Sequence, residues 1–366
     1  MAKTVVVGMS GGVDSSVAAL LLKEQGYHVI GVTMQIWQDE AVDTAAENGG
    51  CCGLSAVEDA RRVANQLEIP YYVMNFKQEF KRDVMDYFVC EYLKGRTPNP
   101  CIACNRYVKW EALLHRSLEI GADYIATGHY ARIDQLENGR YAVRNSVTAS
   151  KDQTYALYNL TQEQLSRTLF PVGEFEKDNI REMAEKAGLM VAHKPDSQDV
   201  CFVPDGDYAS FIDGAAEEMG LVVPGSGNFV DKNGKILGRH KGITHYTIGQ
   251  RRGLEIAAGH RVFVTDIRPE TNEVVIGENE DIFTTEVTFD HMNFMSMSQE
   301  ELVDGYPVKA KIRYNHLGDF GKVYRVSEDW YKVVFDKPVR AATSGQAVVL
   351  YDGEYVVGGG VIVNRF

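Results

Sequence analysis

The chain has 366 residues, of which 45% are hydrophobic and 24% charged, and a formal net charge of −13. That length exceeds one ordinary domain and predicts two or three, with the composition of a globular protein. The acidic balance excludes a protein that coats nucleic acid over its whole surface, but not local basic patches, because phosphate affinity follows local potential.

Uninterrupted apolar runs never reach the roughly 18 residues of a membrane span, which predicts no membrane partner. Met1-Ala2-Lys3-Thr4 leads directly into Val5-Val6-Val7 without the apolar core and cleavage site of a signal peptide, so the expected location is the cytoplasm. Six cysteines make no disulfide scaffold in a chain this long. Clustered cysteines in a reducing compartment are more often ligands or catalysts.

Residues 3–9 read as a buried strand. Residues 13–25 carry Val13, Val17, Leu20 and Leu21 at helical spacing, closed by Gly26. Residues 28–34 form the next strand. Ser55 and Glu58 make a capping-box signature for a helix with Val57, Ala60, Ala64 and Leu67 on its apolar face. A third strand at 71–75 precedes a helix bearing Phe80, Val84 and Phe88. Another helix follows Cys104, and 123–127 is a further strand. This alternation predicts a parallel sheet covered on both faces.

Beyond helices at 162–166 and 177–186 the character changes. Asn233-Gly234 and Asp352-Gly353 each sit between alternating segments, a strong hairpin signal, and 308–315 alternates apolar with basic or polar residues. The expected fold class is therefore α/β: a parallel-sheet catalytic domain over 1–205, then two small β-rich domains over 206–280 and 281–366.

Gly8-Met9-Ser10-Gly11-Gly12-Val13-Asp14-Ser15-Ser16 lies where the first strand meets the first helix. Glycines there let backbone approach an anion, and the N–H groups at the helix start point at it. Asp14 repels phosphate by itself, which suggests a Mg2+ ion or a capping role. A Gly-Gly turn with an Asp cap is the plainer reading. The ordered Ser-Gly-Gly-Val-Asp-Ser directly after a strand favours a nucleotide site. No Gly-Lys-Ser/Thr follows, so it is not a Walker loop. It resembles the loop of the N-type ATP pyrophosphatases, which transfer AMP to an oxygen.

Cys101 and Cys104 form a Cys-x-x-Cys within Thr97-Pro98-Asn99-Pro100-Cys101-Ile102-Ala103-Cys104-Asn105. The prolines hold the approach extended and the helix begins near Cys104, where a thiol gains nucleophilicity. Cys-x-x-Cys is also half of a zinc site, but a matching second half is missing. Cys201 stands alone in Asp196-Ser197-Gln198-Asp199-Val200-Cys201-Phe202. Cys90 reads as a small core or near-core residue, and the vicinal Cys51-Cys52 pair as packing or loop chemistry.

Taken together, these motifs resemble the tRNA-specific 2-thiouridylases of the MnmA/TrmU type over nearly the whole chain. The resemblance rests also on Ala126-Thr127-Gly128-His129-Tyr130, Lys151-Asp152-Gln153, residues 194–208, residues 242–254 and Ser344-Gly345-Gln346. It implies a HUP-like N-terminal domain of the N-type ATP pyrophosphatase class and a last domain that is a β-barrel. It implies an ATP-dependent sulfurtransferase that adenylates the C2 oxygen of the wobble uridine of tRNA and replaces it with sulfur. By the same resemblance, Gly8, Met9, Ser10, Gly11, Gly12, Val13, Asp14, Ser15, Met34 and Gly128 bind ATP. Asn99, Pro100 and Cys101 face the target base. His129, Lys151, Asp152, Gln153, Arg313, Tyr314 and Gln346 contact the tRNA around its anticodon loop and stem.

Cys201 would carry a persulfide supplied by a sulfur-donor protein, with Cys104 assisting or resolving it as a disulfide bond. One departure opens an alternative, because many members carry Asp where this chain has Cys101. Cys101, Cys104 and Cys201 together could hold a [4Fe-4S] cluster with one iron open to sulfide. Residue types leave both routes standing.

Basic stripes at 239–254 (Arg239, Lys241, Arg251, Arg252) and 308–316 (Lys309, Lys311, Arg313) carry no carboxylate and suit phosphate contacts, although a solvated strand face would look the same. Tyr314 offers a ring for an unstacked base, and a uridine reached by ATP must leave its stack. The rival readings are another N-type ATP pyrophosphatase ligase, such as an amidotransferase-type synthetase, and a non-enzymatic adenine-nucleotide sensor. A synthetase has no evident use for Cys101, Cys104 and Cys201, and a sensor would bind ATP stably without releasing pyrophosphate.

Overall fold

Val5, Val6 and Val7 are all fully buried, although successive strand residues point to opposite faces. A strand buried on both sides belongs in the middle of a covered parallel sheet, and β1 (Thr4–Gly8) stands there. In this computed structural model, which describes residues 2–36, 54–195, 200–256 and 258–363, the chain divides into two compact units.

The first unit holds Met1–Val84, Cys101–Gly206 and Glu354–Val356. Its sheet comprises β1, β2 (His28–Gln35), β3 (Tyr71–Asn75), β4 (Tyr124–Thr127) and the short β7 (Thr168–Leu169), in the order β3-β2-β1-β4-β7 with every neighbour parallel. β5 (Ala131–Gln135) and β6 (Tyr141–Asn145) form an antiparallel hairpin in the same unit. Val5 and Val7 pack with Val13 and Val17 of the helix Val13–Glu24, Ala60 and Val63 of the helix Leu54–Gln66, and Ile180 and Ala184 of the helix Lys177–Lys186. The chain runs outward from β1 through β2 to β3, then crosses back to β4 on the other side of β1. The carboxyl ends of β1 and β4 therefore flank the crevice where open α/β sheets bind ligands.

The second unit holds Met85–Pro100, Asp207–Gly353 and Val357–Phe366. It begins with the helices Tyr87–Leu93 and Tyr208–Glu218. β8 (Gly227–Val230), β9 (Ile236–His240), β10 (Phe263–Arg268) and β11 (Glu273–Gly277) make a sheet ordered β10-β11-β8-β9 over a core of Phe229, Tyr246, Val264 and Val274. β12 (Phe283–Phe294), β13 (Tyr306–Lys311), β14 (Asp319–Arg325), β15 (Trp330–Arg340), β16 (Ala347–Asp352) and β17 (Tyr355–Ile362) follow in the order β12-β15-β14-β13-β16-β17. β12 pairs again with β17 (Phe289 opposite Ile362), so this sheet closes into a six-stranded barrel without edges. Val287, Phe289, Val333 and Leu350 are among the residues filling it.

The expected α/β unit followed by β-rich segments is what the chain forms, and both marked turns are hairpins: Gly234 and Gly353 take φ +84° and +57°. Four local expectations are corrected. The helix after the prolines starts at Pro100, not near Cys104. Proline has no N–H to leave unpaired and its fixed φ suits a first helical position, so Pro100 opens the turn instead of extending the chain. Ser55 lies inside the helix Leu54–Gln66 and does not precede it. β13 stops at Lys311: the Ile312 N–H turns to the His316 Nδ1 (3.3 Å) and the His316 N–H to the Arg313 carbonyl (3.1 Å). Lys81–Asp86 and Cys104–Leu113 wind as π-helix, wider than the α-helix that the apolar spacing predicts. Cys51 and Cys52, read as packing or loop chemistry, lie outside the described residues. Among the described residues no helix is long and apolar enough to cross a membrane.

Candidate functional site

The glycine loop leaves β1 at Gly8, which pairs with Val32 on one side and Thr127 on the other. Its path is fixed by backbone and side-chain bonds. The Met9 N–H donates to the Val32 carbonyl (2.8 Å), and the Thr33 hydroxyl donates to the Met9 carbonyl (2.7 Å) while accepting from the Tyr71 hydroxyl (2.7 Å). Met34 follows on β2, half-buried beside this exit.

Gly11 takes φ +68°, and a Cβ there would fall 2.3 Å from the Ala56 carbonyl oxygen, so neither the angle nor the space admits a side chain. Gly12 caps the helix Val13–Glu24 in extended geometry with no side-chain bond to it. The hydroxyls of Ser15 and Ser16 donate back to the Gly12 carbonyl (3.2 and 2.8 Å), and the Ser10 N–H donates to the Ser15 Oγ (3.2 Å). The result is a tight backbone turn at a helix N-terminus, for which an anion is the complementary ligand. Gly128, at the end of β4, closes the other wall: a Cβ there would lie 2.5 Å from the Ser15 nitrogen and 2.6 Å from the Asp14 carbonyl carbon.

Asp14 neither caps the helix nor presents an open carboxylate to a cation. Its Oδ1 accepts from the Tyr130 hydroxyl (2.6 Å) and from the Lys177 Nζ (2.8 Å), and its Oδ2 accepts from the same ammonium (2.9 Å). A magnesium ion does not fit on a carboxylate already paired in this way. A second ammonium, Lys194, donates to the Gly11 carbonyl (3.1 Å) and to Asp59 Oδ2 (2.8 Å). Val13 is buried beneath the loop.

Beside Gly128, the His129 ring lies between Trp110 (centroids 5.6 Å apart) and Phe170 (5.9 Å), with Nδ1 2.7 Å from the Thr127 hydroxyl. Burial, reinforced by the Lys109 ammonium, holds its pKa well below the usual histidine value. The imidazole is therefore neutral near pH 7 and offers hydrogen bonds and a ring face instead of a charge. Trp110 is pinned by its Nε1–H to the Thr168 hydroxyl (2.7 Å), and the Asn105 amide donates to the Ala156 carbonyl (3.0 Å) while accepting from Lys109 (2.8 Å).

The Lys151-Asp152-Gln153 segment is organised largely by internal bonds. Asp152 accepts from the Asn145 amide, the Ser146 N–H, and the Thr154 N–H and hydroxyl. Gln153 accepts the Tyr130 N–H (2.9 Å). Asp152 and Gln153 thus shape the loop, and Lys151 is half-buried on it.

Cys90, Cys101, Cys104 and Cys201 are thiols, Cys101 exposed and the others half-buried. Cys101 takes the early helical position that the sequence assigned to Cys104, which instead opens the π-helical stretch. Phe202 anchors the Cys201 turn, packing edge-on to Phe80 with centroids 5.7 Å apart. Among the described residues no three His, Cys, Asp or Glu side chains are gathered to hold a metal.

In the second unit, Gln346 is likewise engaged within the protein. Its Nε2 donates to the Thr97 carbonyl (2.7 Å), and the Thr97 N–H donates to the Ser344 carbonyl (2.8 Å). Gly345 between them has φ +90° and no room for a side chain against Arg96 and Thr97. Buried Glu91 binds Lys94 (2.9 Å) and Arg96 (3.1 Å). The stretch leading to Asn99 and Pro100 is thus tied down from three sides. Arg313 is not on a strand face; it donates to the Arg340 carbonyl (2.7 Å), and Tyr314 beside it is exposed. Arg251 and Arg252 are exposed, whereas Lys241 meets a carboxylate from just beyond the stripe, Glu255 (3.1 Å).

Family models described as tRNA methyl transferase HUP domain, tRNA methyl transferase PRC-barrel domain and aminomethyltransferase beta-barrel domain match residues 3–205, 220–278 and 284–362. The tRNA-specific 2-thiouridylase MnmA of Lachnoclostridium phytofermentans is 66% identical over 99% of both chains. Those of Clostridium acetobutylicum (57% identical, 99% of this chain and 100% of the relative) and Clostridioides difficile (55%, 99% and 98%) are similar over the same length. This chain belongs to the tRNA-specific 2-thiouridylase MnmA family. For a member of that family, sequence reading brings out the glycine loop and the thiols but misses Lys177, Lys194, Asp59, Lys109 and Trp110 as parts of the site. Lys177 and Lys194 bind groups 163 and 183 residues away, so no local pattern marks them.

Proposed function

We propose that this chain is an ATP-dependent tRNA-uridine 2-sulfurtransferase that thiolates the wobble uridine through an adenylated intermediate. The observation that carries the proposal is the crevice at the β1–β4 switch point, with a backbone cradle that glycines alone can form, in a unit that also bears Cys104 and Cys201. The matched models speak of methyl transfer. The full-length relatives are 2-thiouridylases at 55–66% identity, and sulfur transfer gives Cys104 and Cys201 a direct role.

In this reading Gly8 to Ser15, Met34 and Gly128 bind ATP, with pyrophosphate at the helix N-terminus. The uridine O2 attacks the α-phosphorus, the bond to the β-phosphate breaks and pyrophosphate leaves. Cys201, charged to a persulfide by a donor protein, attacks C2 with its terminal sulfur, and the C2–O bond to AMP breaks. The Cys104 thiolate then attacks the Cys201 sulfur. A Cys104–Cys201 disulfide forms, the sulfur bound to C2 is released as the thiocarbonyl, and an external dithiol returns both thiols. Magnesium accompanies ATP as its counter-ion.

Asn99, Pro100 and Cys101 face the target base. His129, as a neutral ring, and Lys151, Arg313 and Tyr314 contact the anticodon loop and stem. Asp152, Gln153 and Gln346 shape the surfaces that do so. The division 1–205, 206–280 and 281–366 assigns catalysis to the first part and tRNA contacts to all three, and the reaction belongs in the cytoplasm.

The test is pyrophosphate release and 2-thiouridine formation on an unmodified tRNA transcript with ATP and a persulfide donor. Cys201→Ala is expected to abolish thiolation while leaving tRNA-dependent pyrophosphate release. Pyrophosphate release that ignores tRNA but requires ammonia or an amino acid would instead identify a synthetase.

A further inference from the structure

Asp14 is the sole carboxylate in the Gly8–Ser16 stretch, and at the mouth of a phosphate site it opposes the ligand. The helix N-terminus there contributes only about half a positive charge, so Asp14 alone would leave the mouth net negative. Lys177 reverses this, with one ammonium bonded to both carboxylate oxygens at 2.8 and 2.9 Å and 5.5 Å from the centre of the Tyr130 ring.

The position of Lys177 is not explained by its own helix. It is the first residue of Lys177–Lys186, where a cation faces the positive end of the macrodipole and is disfavoured. Its side chain is only 11% exposed, so the charge is sheltered from screening. A lysine that opposes its helix, shelters from water and reaches across the sequence to the phosphate loop is placed for a ligand.

Resting on the reading of this loop as an ATP site, we propose that Lys177 binds the pyrophosphate portion of ATP, with Asp14 and Tyr130 holding its ammonium in place. A positive charge there follows the negative charge that builds on the leaving pyrophosphate as the α–β bond breaks.

The test compares binding of α,β-methylene-ATP, which cannot be cleaved, with binding of AMP, by calorimetry on the full chain. Lys177→Met is expected to weaken α,β-methylene-ATP at least about tenfold, or ~1.4 kcal/mol, and to leave AMP unchanged. Asp14→Asn/Lys177→Met should stay as weak. Undiminished α,β-methylene-ATP affinity in Lys177→Met overturns the proposal. So does recovery in the double variant, which would make Lys177 only a neutraliser of Asp14. If Lys177→Met misfolds and loses AMP as well, Lys177→Arg decides: keeping the wild-type preference for the triphosphate supports the role, and binding AMP without that preference overturns it. A wild-type chain that binds neither nucleotide removes the underlying reading and this proposal with it.

Discussion

Gly128→Ala is the sharpest probe of the crevice. The added methyl would sit 2.5 Å from the Ser15 nitrogen, 2.6 Å from the Asp14 carbonyl carbon and 2.9 Å from the Asp14 Cβ, where ordinary contact begins at 3.4 Å. The neighbours are mainly backbone on the first helical turn, so no side chain can simply swing aside. β4 and the loop must separate by most of an ångström. Overpacking of this kind costs roughly 1–3 kcal/mol of stability. A displacement of about 1 Å in a positioning element costs on the order of 100-fold in rate.

The assays are urea unfolding and tRNA-dependent pyrophosphate release. The expected result is a folded protein with a modestly lower midpoint and pyrophosphate release down about two orders of magnitude. Gly26→Ala is the control: it has φ +85° but open space around it, so it should lose stability through backbone strain alone and keep its rate. Wild-type pyrophosphate release by Gly128→Ala would refute the assignment of this wall to the nucleotide.

Other outcomes follow from the same geometry. His129 and His240 are both held below the usual 6.5 by burial, with Lys109 adding to the effect at His129. The folded state therefore binds fewer protons than the unfolded one as pH falls through 6.5. Stability should be flat above that value and decline below it, and a denaturation midpoint that rises on acidification would contradict this. Gln346→Ala removes a bond worth about 1 kcal/mol net from the Thr97 carbonyl, so amide exchange at Thr97 and Asn99 should quicken without any tRNA present. Unchanged exchange would mean that Gln346 serves the RNA alone. Iron in protein purified without oxygen should be far below stoichiometric. A full complement of iron and sulfide, lost in Cys101→Ala, would favour the cluster route.

The local features were legible. Val5-Val6-Val7 announces a buried strand, Gly11 a close backbone approach, Gly26 a helix stop, and Asn233-Gly234 a hairpin. Errors arose where two local rules competed. Pro100 reads locally as an extender, but at the start of a helix its missing N–H is an advantage, and the turn begins there. The alternation at 308–315 suggested that Arg313 continues a strand. The His316 ring takes the Ile312 N–H that a neighbouring strand would have needed, and the ladder ends at Lys311.

What sequence could not supply is the pairing of charges across the fold. Asp14 is anomalous in a loop read as a phosphate site, since a carboxylate there demands a compensating cation. Chain order offered only magnesium or a cap as the answer. The compensation comes from Lys177, brought there because the helix it opens packs on the helix that follows the loop, with Ile180 and Ala184 meeting Val13 and Val17 in one apolar core. The same logic governs Gln346, whose bond to Thr97 exists because Ser344 already holds the Thr97 N–H. In both places apolar packing or a backbone ladder sets the distance first, and a polar side chain then completes a charge or hydrogen-bond requirement created elsewhere. An unexplained charge within a motif is therefore a reason to look for its partner on the element packed against it.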